Sequence, residues 1–483
     1  MSSVPGPSPL LVPLQPSPQV VAQMTEFSLL QCEDMSQLEG PSPGRSNDGL
    51  KIDESDAIVR MDITMHISGE PTSHEMNARV ATLFNQMYGP VPEIDASQVS
   101  LRHMSDARTN HVYIATIDPE PTIPTTQIPR TLRTTLNNQQ QKTTQMPRKY
   151  ILRVFGTGAN ELLSREKEAF WLRKLSPLGI GAQIYGIFGN GRIEEYFEST
   201  TLTKDDICNL STSKDIAQRM SELHTLVSHY YPYGGSGKSN DKEAAYLNGQ
   251  PELWASVDAW IQLVQNKWHE IRRKCAGNAQ CVEILDNWPM FVQAVRKYKT
   301  HIKQEAHSPI VFAHNDMQNS NILRLDHTGE LVIIDFEYAG FNYRGYDIAN
   351  HLCTWMANYE PSSRFYYLDP TQYPTVEQRR GFMETYVYTK EFINANLMAG
   401  ASVVESGLTQ PAEELSTINL SKDRIREEVE ALDREVAFFV PASQLQWGVW
   451  GLLQTCSNVD NIDFVAFSAL RLSMFLEYVA KIK

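Results

Sequence analysis

The chain has 483 residues, of which 42% are hydrophobic, and a formal net charge of -14. This composition supports a large buried core, whereas the acidic balance argues against nucleic-acid binding and attraction to anionic lipids. The six cysteines include no CxxC pair, and no apolar run approaches the ~20 residues of a membrane helix. We therefore predict a cytoplasmic protein with reduced thiols and without membrane insertion.

The first third of the chain combines a polar tail with strand patterns. Residues 1–58 are rich in Pro, Ser and Gly, which predicts a disordered tail because little apolar surface is available to offset chain entropy. The runs HVYIATI and KYILRVFG predict strands. The segment 118–148 between them, rich in Thr, Gln and Pro, is predicted to be a low-complexity loop.

The next patterns complete a small lobe and open a larger one. ELLSREKEAFWLRKL has apolar residues near helical spacing, and QIYGIF, GNG and RIEEYF predict a hairpin. After Thr203 helical patterns dominate, and strand signals return only near VFAHND and LVIIDF. The predicted fold class is α+β, with a small β-rich N-terminal lobe (59–200) that has one main helix and a larger, mostly helical C-terminal lobe (201–483).

Two short segments carry the strongest functional signal. IVFAHNDMQNSNILRL contains Asp316 and Asn321, and ELVIIDFEY contains Asp335 at the end of an apolar strand. Protein kinases use the same order, in which the first Asp takes the hydroxyl proton while the Asn and the second Asp hold Mg²⁺. We predict these roles here, with Asn321 and Asp335 as the metal ligands. Alternatively, these are turn residues, which fits either segment alone better than both together.

Three further features accompany this centre. His314 is predicted to orient the catalytic loop through hydrogen bonds to the backbone rather than to act as a base. Arg153 stands where kinases place a strand lysine, and we predict that it binds nucleotide phosphates and pairs with Glu168 in preference to Glu166. The alternative is a surface arginine beside a solvated helix face.

The segment HMSDARTN is a weak signal for a phosphate-binding loop, because it contains no glycine. Its candidate hydrogen-bond donors to the nucleotide are Ser105, Thr109 and Asn110.

With these residues in place, the chain resembles the choline and ethanolamine kinase family from about Gln98 to the C-terminus. VFAHNDMQNSNILRL and VIIDFEYAGFNYRGYDIANHLCTWMANY carry most of the resemblance, and SELH, IYGIF and WGVW fit as well. It implies a two-lobed protein-kinase-like fold, similar to that of aminoglycoside phosphotransferases, with ATP and Mg²⁺. It also implies Asp316 as catalytic base, and a homodimer as the family's common assembly.

A quaternary ammonium such as choline needs aromatic faces and negative charge around it. Trp447 and Trp450 follow Pro441, which we predict to occupy the first turn of a helix, so both side chains share one face. By resemblance, these tryptophans, Tyr338 and Tyr359 form the family's aromatic cage. Without that resemblance, the tryptophan pair would be interpreted as core.

The resemblance predicts a choline kinase that converts ATP and choline to ADP and phosphocholine, the first step of phosphatidylcholine synthesis by the CDP-choline route. Ethanolamine would be a weaker substrate, because Gln318 replaces the apolar residue usual in the ethanolamine-preferring branch. Thr354 stands where the family usually has Glu, and Asp106 replaces a loop Gly. The alternatives are therefore an ethanolamine kinase or other small-molecule kinase of this fold, and a pseudokinase that acts as a regulatory binding module.

Overall fold

The computed structural model describes residues 59–61, 63–65, 74–88, 93–104, 110–119, 122–124, 143–155, 164–234, 241–358, 367–403, 422–456 and 462–482. The predicted tail 1–58 lies outside these residues, as do three predicted site residues, Ser105, Thr109 and Tyr359. The described chain divides into two compact units. The N-terminal unit ends at Ser199 and also includes residues 325–327, and the C-terminal unit comprises the rest from Thr200 onward.

A six-stranded sheet is the framework of the N-terminal unit. The strands of this unit are β1 (Val59–Met61), β2 (Val99–His103), β3 (Asn110–Ile117), β4 (Thr122–Pro124), β5 (Thr143–Gln145), β6 (Lys149–Phe155), β7 (Ile184–Phe188) and β8 (Gly191–Glu195). The order in the sheet is β1-β7-β8-β6-β3-β2, parallel only between β1 and β7. β6 buries Tyr150, Leu152 and Val154 at alternate positions, as expected of a strand with one face on the core. Both predicted strands and the predicted hairpin are confirmed.

Part of the segment 118–148 differs from the prediction. β4 and β5 pair antiparallel, with Thr122 opposite Gln145 and Ile123 opposite Thr144. Thr and Ile are β-branched and favour extended backbone. This explains why the two ends of the segment form strands although the segment as a whole is polar. The prediction of a loop is wrong for these strands, and residues 125–142 lie outside the described chain.

The described N-terminal unit contains two longer helices rather than the one predicted. The helix His74–Tyr88 buries Val80, Leu83, Phe84 and Met87 at helical spacing, a pattern present in the sequence. The predicted helix is confirmed as Arg165–Leu175. Its N-cap is Ser164, whose hydroxyl accepts a hydrogen bond from the backbone N–H of Lys167 at 3.3 Å.

The C-terminal unit is mostly helical, as predicted. Its strands are β9 (Ser199–Thr201), β10 (Ile310–Ala313), β11 (Ile322–Leu325), β12 (Leu331–Ile333), β13 (Gly340–Tyr343), β14 (Ala357–Asn358) and β15 (Tyr367–Leu368). Its α-helices are Lys204–Cys208, Leu210–Tyr230, Asp241–Asn248, Glu252–Asn266, Trp268–Lys274, Ala279–Asp286, Trp288–Glu305, Arg344–Thr354, Val376–Val403, Lys422–Gln454 and Phe464–Lys481. β10 pairs with β13 and β11 pairs with β12, which brings the two predicted catalytic segments together.

Pro441 lies inside a helix rather than in a first turn. The helix Lys422–Gln454 runs through it, so the predicted helix start is wrong. Proline removes one backbone hydrogen bond, but the helix continues because both halves are packed, with Phe439 and Leu445 fully buried. Trp447 and Trp450 nevertheless share a face. Among the helices that the structure describes, none combines the length and apolarity needed to cross a membrane.

Candidate active site

The loop after β10 is held by one buried carboxylate that the sequence analysis did not single out. Asp347, on the helix Arg344–Thr354, is 0% exposed. Its Oδ2 accepts a hydrogen bond from the backbone N–H of His314 at 3.0 Å, and its Oδ1 accepts one from that of Asn315 at 2.7 Å. His224 Nε2 lies 2.9 Å from Oδ2. Burial opposes ionisation, but the hydrogen bond and charge of His224 hold the pKa of Asp347 below its ordinary value.

Asn315 gives this loop its shape. Its φ of 66° is in the left-handed region, which asparagine adopts more readily than most other non-glycine residues. Its side-chain amide donates to the carbonyl of Tyr338 at 2.9 Å, and its Oδ1 accepts from Asn342 Nδ2 at 2.7 Å. The loop is thus tied to the segment that carries Tyr338.

His314 acts through the backbone, as predicted. Its Nε2 donates to the carbonyl of Ile334 at 3.0 Å, and its Nδ1 faces the backbone N–H of Asp316 at 3.3 Å. These contacts require the tautomer with the proton on Nε2. Burial lowers the pKa of His314, so the ring is neutral and suited to hold the two catalytic segments in register.

Asp316 is held through one of its two carboxylate oxygens. Its Oδ2 accepts from Gln318 Nε2 at 3.2 Å and from Asn321 Nδ2 at 3.1 Å, and Asn321 Nδ2 also reaches the carbonyl of Asp316 at 2.9 Å. The hydrogen bonds of Asp316 within the described chain leave Oδ1 unused. Burial and the charges of Asp335 and Glu337 raise the pKa of Asp316 well above its usual range. Gln318, predicted to bind the acceptor, therefore also orients Asp316.

Asp335 fits the predicted metal site. It follows β12 with a φ of 65°, and its Oδ1 is buried without a hydrogen-bond partner. A buried carboxylate oxygen left unsatisfied is costly unless a cation or water binds it. Asn321 turns its amide nitrogen to Asp316, so its Oδ1 remains as a second oxygen, contacted by Ser320 Oγ at 3.4 Å. Mg²⁺ takes oxygen ligands, commonly one or two carboxylates together with substrate phosphates, and both of these side chains offer oxygen.

Aromatic rings cluster beside this centre. The ring centroids of Tyr338 and Trp447 lie 5.4 Å apart and those of Trp447 and Trp450 lie 5.6 Å apart, both edge to face. Burial and the charges of Glu337 and Asp316 raise the pKa of Tyr338 well above its ordinary value, which keeps the ring neutral. All three side chains are only partly buried, as a recognition surface requires. Trp260 packs behind Tyr338 at 6.3 Å.

Asn350 connects the aromatic cluster with the catalytic loop. Its side-chain amide donates to the carbonyl of Asn315 at 2.9 Å, and its Oδ1 accepts from Trp447 Nε1 and Ser443 Oγ, each at 2.8 Å. His351, one residue on, faces the carbonyl of Met317 through Nδ1 at 2.8 Å. One helix therefore positions both the loop of Asp316 and the ring of Trp447.

The sequence contains a signal that could have identified the residues that anchor this loop. Asp347, Asn350 and His351 stand at helical spacing within YDIANH and are buried, and His224 stands in SELH. Thr354, at the end of the same helix, donates its hydroxyl hydrogen bond to the carbonyl of His351 at 2.6 Å.

The N-terminal unit contains a cluster of buried ion pairs around the predicted phosphate cation. We call this the arginine–glutamate cluster: Arg153, Arg165, Glu168, Arg192 and Glu194. The predicted direct pair of Arg153 and Glu168 is wrong. Arg153 Nε donates to Glu194 Oε1 at 3.1 Å, whereas Glu168 pairs with Arg192 at 2.6 Å and with Arg165 at 3.1 Å. Arg153 and Arg192 lie directly opposite each other on β6 and β8, a register that spacing in one segment cannot reveal.

The cluster has a pH-dependent effect on stability that can be measured. Burial opposes ionisation of Glu168, but Arg192 outweighs it and lowers its pKa from 4.5 to about 2. As pH falls, the unfolded chain binds a proton at Glu168 before the folded chain does. The stabilisation by the ionised Glu168 is therefore fully present above pH 4.5 and is lost as pH falls toward 2, in total roughly 3 kcal/mol. In Glu168→Gln, the free energy of unfolding in urea should fall less steeply below pH 4.5 than in the wild type. Equal slopes would contradict the assignment.

The predicted site residues thus fall into distinct groups. Asp316, Gln318 and Asn321 are in direct contact, Asp335 is coupled to them electrostatically, and the rings of Tyr338, Trp447 and Trp450 form one cluster. Asn110 begins β3 in the N-terminal unit.

Comparison with solved structures shows the fold. Ethanolamine kinase from Plasmodium vivax aligns with a TM-score of 0.57 and 22% identity, covering 85% of this chain and 90% of that one. Choline kinase from Cryptosporidium parvum aligns with a TM-score of 0.53 and 19% identity, covering 82% and 94%. The predicted α+β, protein-kinase-like fold is confirmed. This fold and the kinase family model that matches residues 101–476 define the class of the protein, a small-molecule phosphotransferase.

The family follows from sequence comparison. The model of the choline/ethanolamine kinase family matches residues 101–476, and the chain belongs to that family, as the sequence motifs predicted. It is 28% identical over 359 residues to choline kinase of Saccharomyces cerevisiae, a match that covers 63% of this chain and 54% of the yeast protein's length. It is 26% identical over 335 residues to human choline/ethanolamine kinase, covering 68% of this chain and 72% of that protein.

Proposed function

We propose that this kinase transfers the γ-phosphate of ATP to the hydroxyl of choline, with ethanolamine as a weaker substrate. One observation carries the proposal: Asn315 and Asn350 tie the loop of Asp316 to the aromatic cluster of Tyr338 and Trp447. A base and a surface suited to a quaternary ammonium are thereby held in one unit. Family membership supports an amino-alcohol acceptor, and similarity to choline kinases supports choline.

The residues divide the chemistry among them. The choline hydroxyl gives its proton to Oδ1 of Asp316 as its oxygen bonds to the γ-phosphorus and the bond to the β-phosphate oxygen breaks, releasing ADP. Gln318 and Asn321 hold the other oxygen of Asp316, which fixes the direction of Oδ1. Asn321 and Asp335 would hold Mg²⁺, which neutralises phosphate charge when bound. Tyr338, Trp447, Trp450 and, outside the described residues, Tyr359 would surround the ammonium group.

The nucleotide site proposed for the N-terminal unit uses Arg153 as a phosphate-binding cation, with Glu168 acting on it through the arginine–glutamate cluster. Ser105, Thr109 and Asn110 are the proposed hydrogen-bond donors of the phosphate loop. We further propose that the chain works in the cytoplasm, as a homodimer, at the first step of phosphatidylcholine synthesis. Light scattering on the purified chain tests the assembly.

A substrate panel tests the acceptor. Purified full-length protein with ATP and Mg²⁺ is assayed on choline, ethanolamine and the mono- and dimethylated intermediates. We expect kcat/KM to be highest for choline and to fall with each methyl group removed, because a smaller, hydrated ammonium gains less from aromatic faces. A clear preference for ethanolamine would reject choline as the acceptor, and nucleotide binding without turnover of any amino alcohol would favour a regulatory module.

The aromatic cluster has its own test. Trp450→Ala is expected to raise KM for choline by about tenfold or more, because a desolvated cation–π contact is lost, and to leave KM for ATP near the wild-type value. Trp268→Ala is a matched control, since Trp268 is partly buried against Trp288 elsewhere in the same unit. Equal KM values for choline in both variants would show that Trp450 lies outside the acceptor site.

A further inference from the structure

Arg192 holds the centre of the arginine–glutamate cluster. It is 2% exposed, and its side chain bridges Glu168 through Nη2 and Glu194 through Nε. Glu194 in turn binds the Nε and Nη2 of Arg153, at 3.1 and 3.5 Å. Glu168, on the helix Arg165–Leu175, is therefore linked to Arg153 through the side chains of Arg192 and Glu194. A protein kinase uses one direct ion pair between the corresponding helix and strand.

The local backbone is built to place Arg192 there. Gly191 precedes it on β8, and a Cβ at Gly191 would lie 2.3 Å from the carbonyl oxygen of Arg153, so only glycine allows the strands to approach this closely. The Arg192 guanidinium also lies 5.7 Å from the centroid of the Phe155 ring.

Charge neutralisation alone does not explain Arg192, although Arg192 does most to lower the pKa of Glu168. Without it, Glu168 would still pair with Arg165, and Glu194 would still pair with Arg153. Its Nη1 is buried and has no hydrogen-bond partner, so the side chain carries a desolvation cost that packing alone would not favour. What the bridge adds is geometry, because a planar guanidinium bound on two edges sets the position of Glu194 and hence the direction of Arg153.

We propose that Arg192 is a positioning residue for nucleotide phosphate binding, acting through Glu194 on Arg153. This rests on the proposed function, in which Arg153 binds the phosphates of ATP. If Arg192 has this role, its replacement weakens the binding of ligands that carry phosphates and changes the binding of the nucleoside little. A residue with only a structural role would not produce this difference.

Binding titrations of the full chain with ADP and with adenosine test the proposal. Arg192→Met is expected to weaken ADP binding about tenfold, the equivalent of one charge-assisted hydrogen bond, while adenosine affinity stays within about twofold. KM for ATP should rise in parallel, and KM for choline should not. Arg148→Met is the matched control, because Arg148 forms an exposed ion pair with Asp118 in the same unit.

A second variant covers the case in which Arg192→Met does not fold. Arg192→Lys keeps the charge but lacks the planar guanidinium that binds the two glutamates in fixed directions, and should weaken ADP binding by a smaller factor of about three, with adenosine unaffected. A folded variant of either kind with wild-type ADP affinity would overturn the proposal, as would equal weakening of ADP and adenosine. Wild-type protein that binds no ADP would instead reject the proposed nucleotide site itself.

Discussion

Asp316→Asn is expected to lower kcat for choline phosphorylation by about a thousandfold, because the amide cannot take the hydroxyl proton at the Oδ1 position. The fold should persist. An asparagine oxygen can still accept hydrogen bonds from Gln318 and Asn321, the contacts that Oδ2 of Asp316 makes. Steady-state kinetics across choline and ATP concentrations measure the effect, and KM for both substrates should change little.

The matched control for this variant is Asp258→Asn. Asp258 is exposed and pairs with Lys299 within the C-terminal unit. The Asp258→Asn variant should retain the wild-type kcat. A kcat for Asp316→Asn within about tenfold of the wild type would remove Asp316 from the role of general base, since positioned proton transfer contributes at least about a hundredfold.

Asp347→Asn is expected to destabilise the protein by about 3 kcal/mol or more. Both carboxylate oxygens of Asp347 accept hydrogen bonds from the loop, and an amide has only one oxygen, so its NH₂ group would face a backbone N–H or His224. The unpaired donors are buried and cannot recover hydrogen bonds from water. The free energy of unfolding in urea measures the loss.

Asp433→Asn provides the comparison for Asp347. Asp433 pairs with Arg379 at 2.8 Å with 36% of its side chain exposed, so its replacement should cost at most about 1 kcal/mol. Similar losses in the two variants would mean that the hydrogen bonds of Asp347 do not anchor the catalytic loop.

The relative positions of the predicted catalytic residues could be inferred from the sequence because their signal is local. Asp316 and Asn321 are separated by a short loop, and Asp335 follows on the hairpin of β11 and β12, so their spacing along the chain largely determines their spacing in the protein. The same holds for Trp447 and Trp450, whose separation places them on one helix face even though the predicted helix start at Pro441 was wrong.

The supporting contacts could not be predicted in this way, because each joins residues far apart in sequence. Glu168 binds Arg192 rather than Arg153 because the register of β6 and β8 decides which side chains meet. Asp347 reaches the loop of His314 only when its helix packs beside β10. The amino-acid sequence by itself therefore determined the family, the fold class and the relative positions of the proposed reacting groups, through short motifs whose geometry is local. Strand register and helix packing decided which side chains hold those groups, since hydrogen bonds and ion pairs depend on positions that only the folded chain defines.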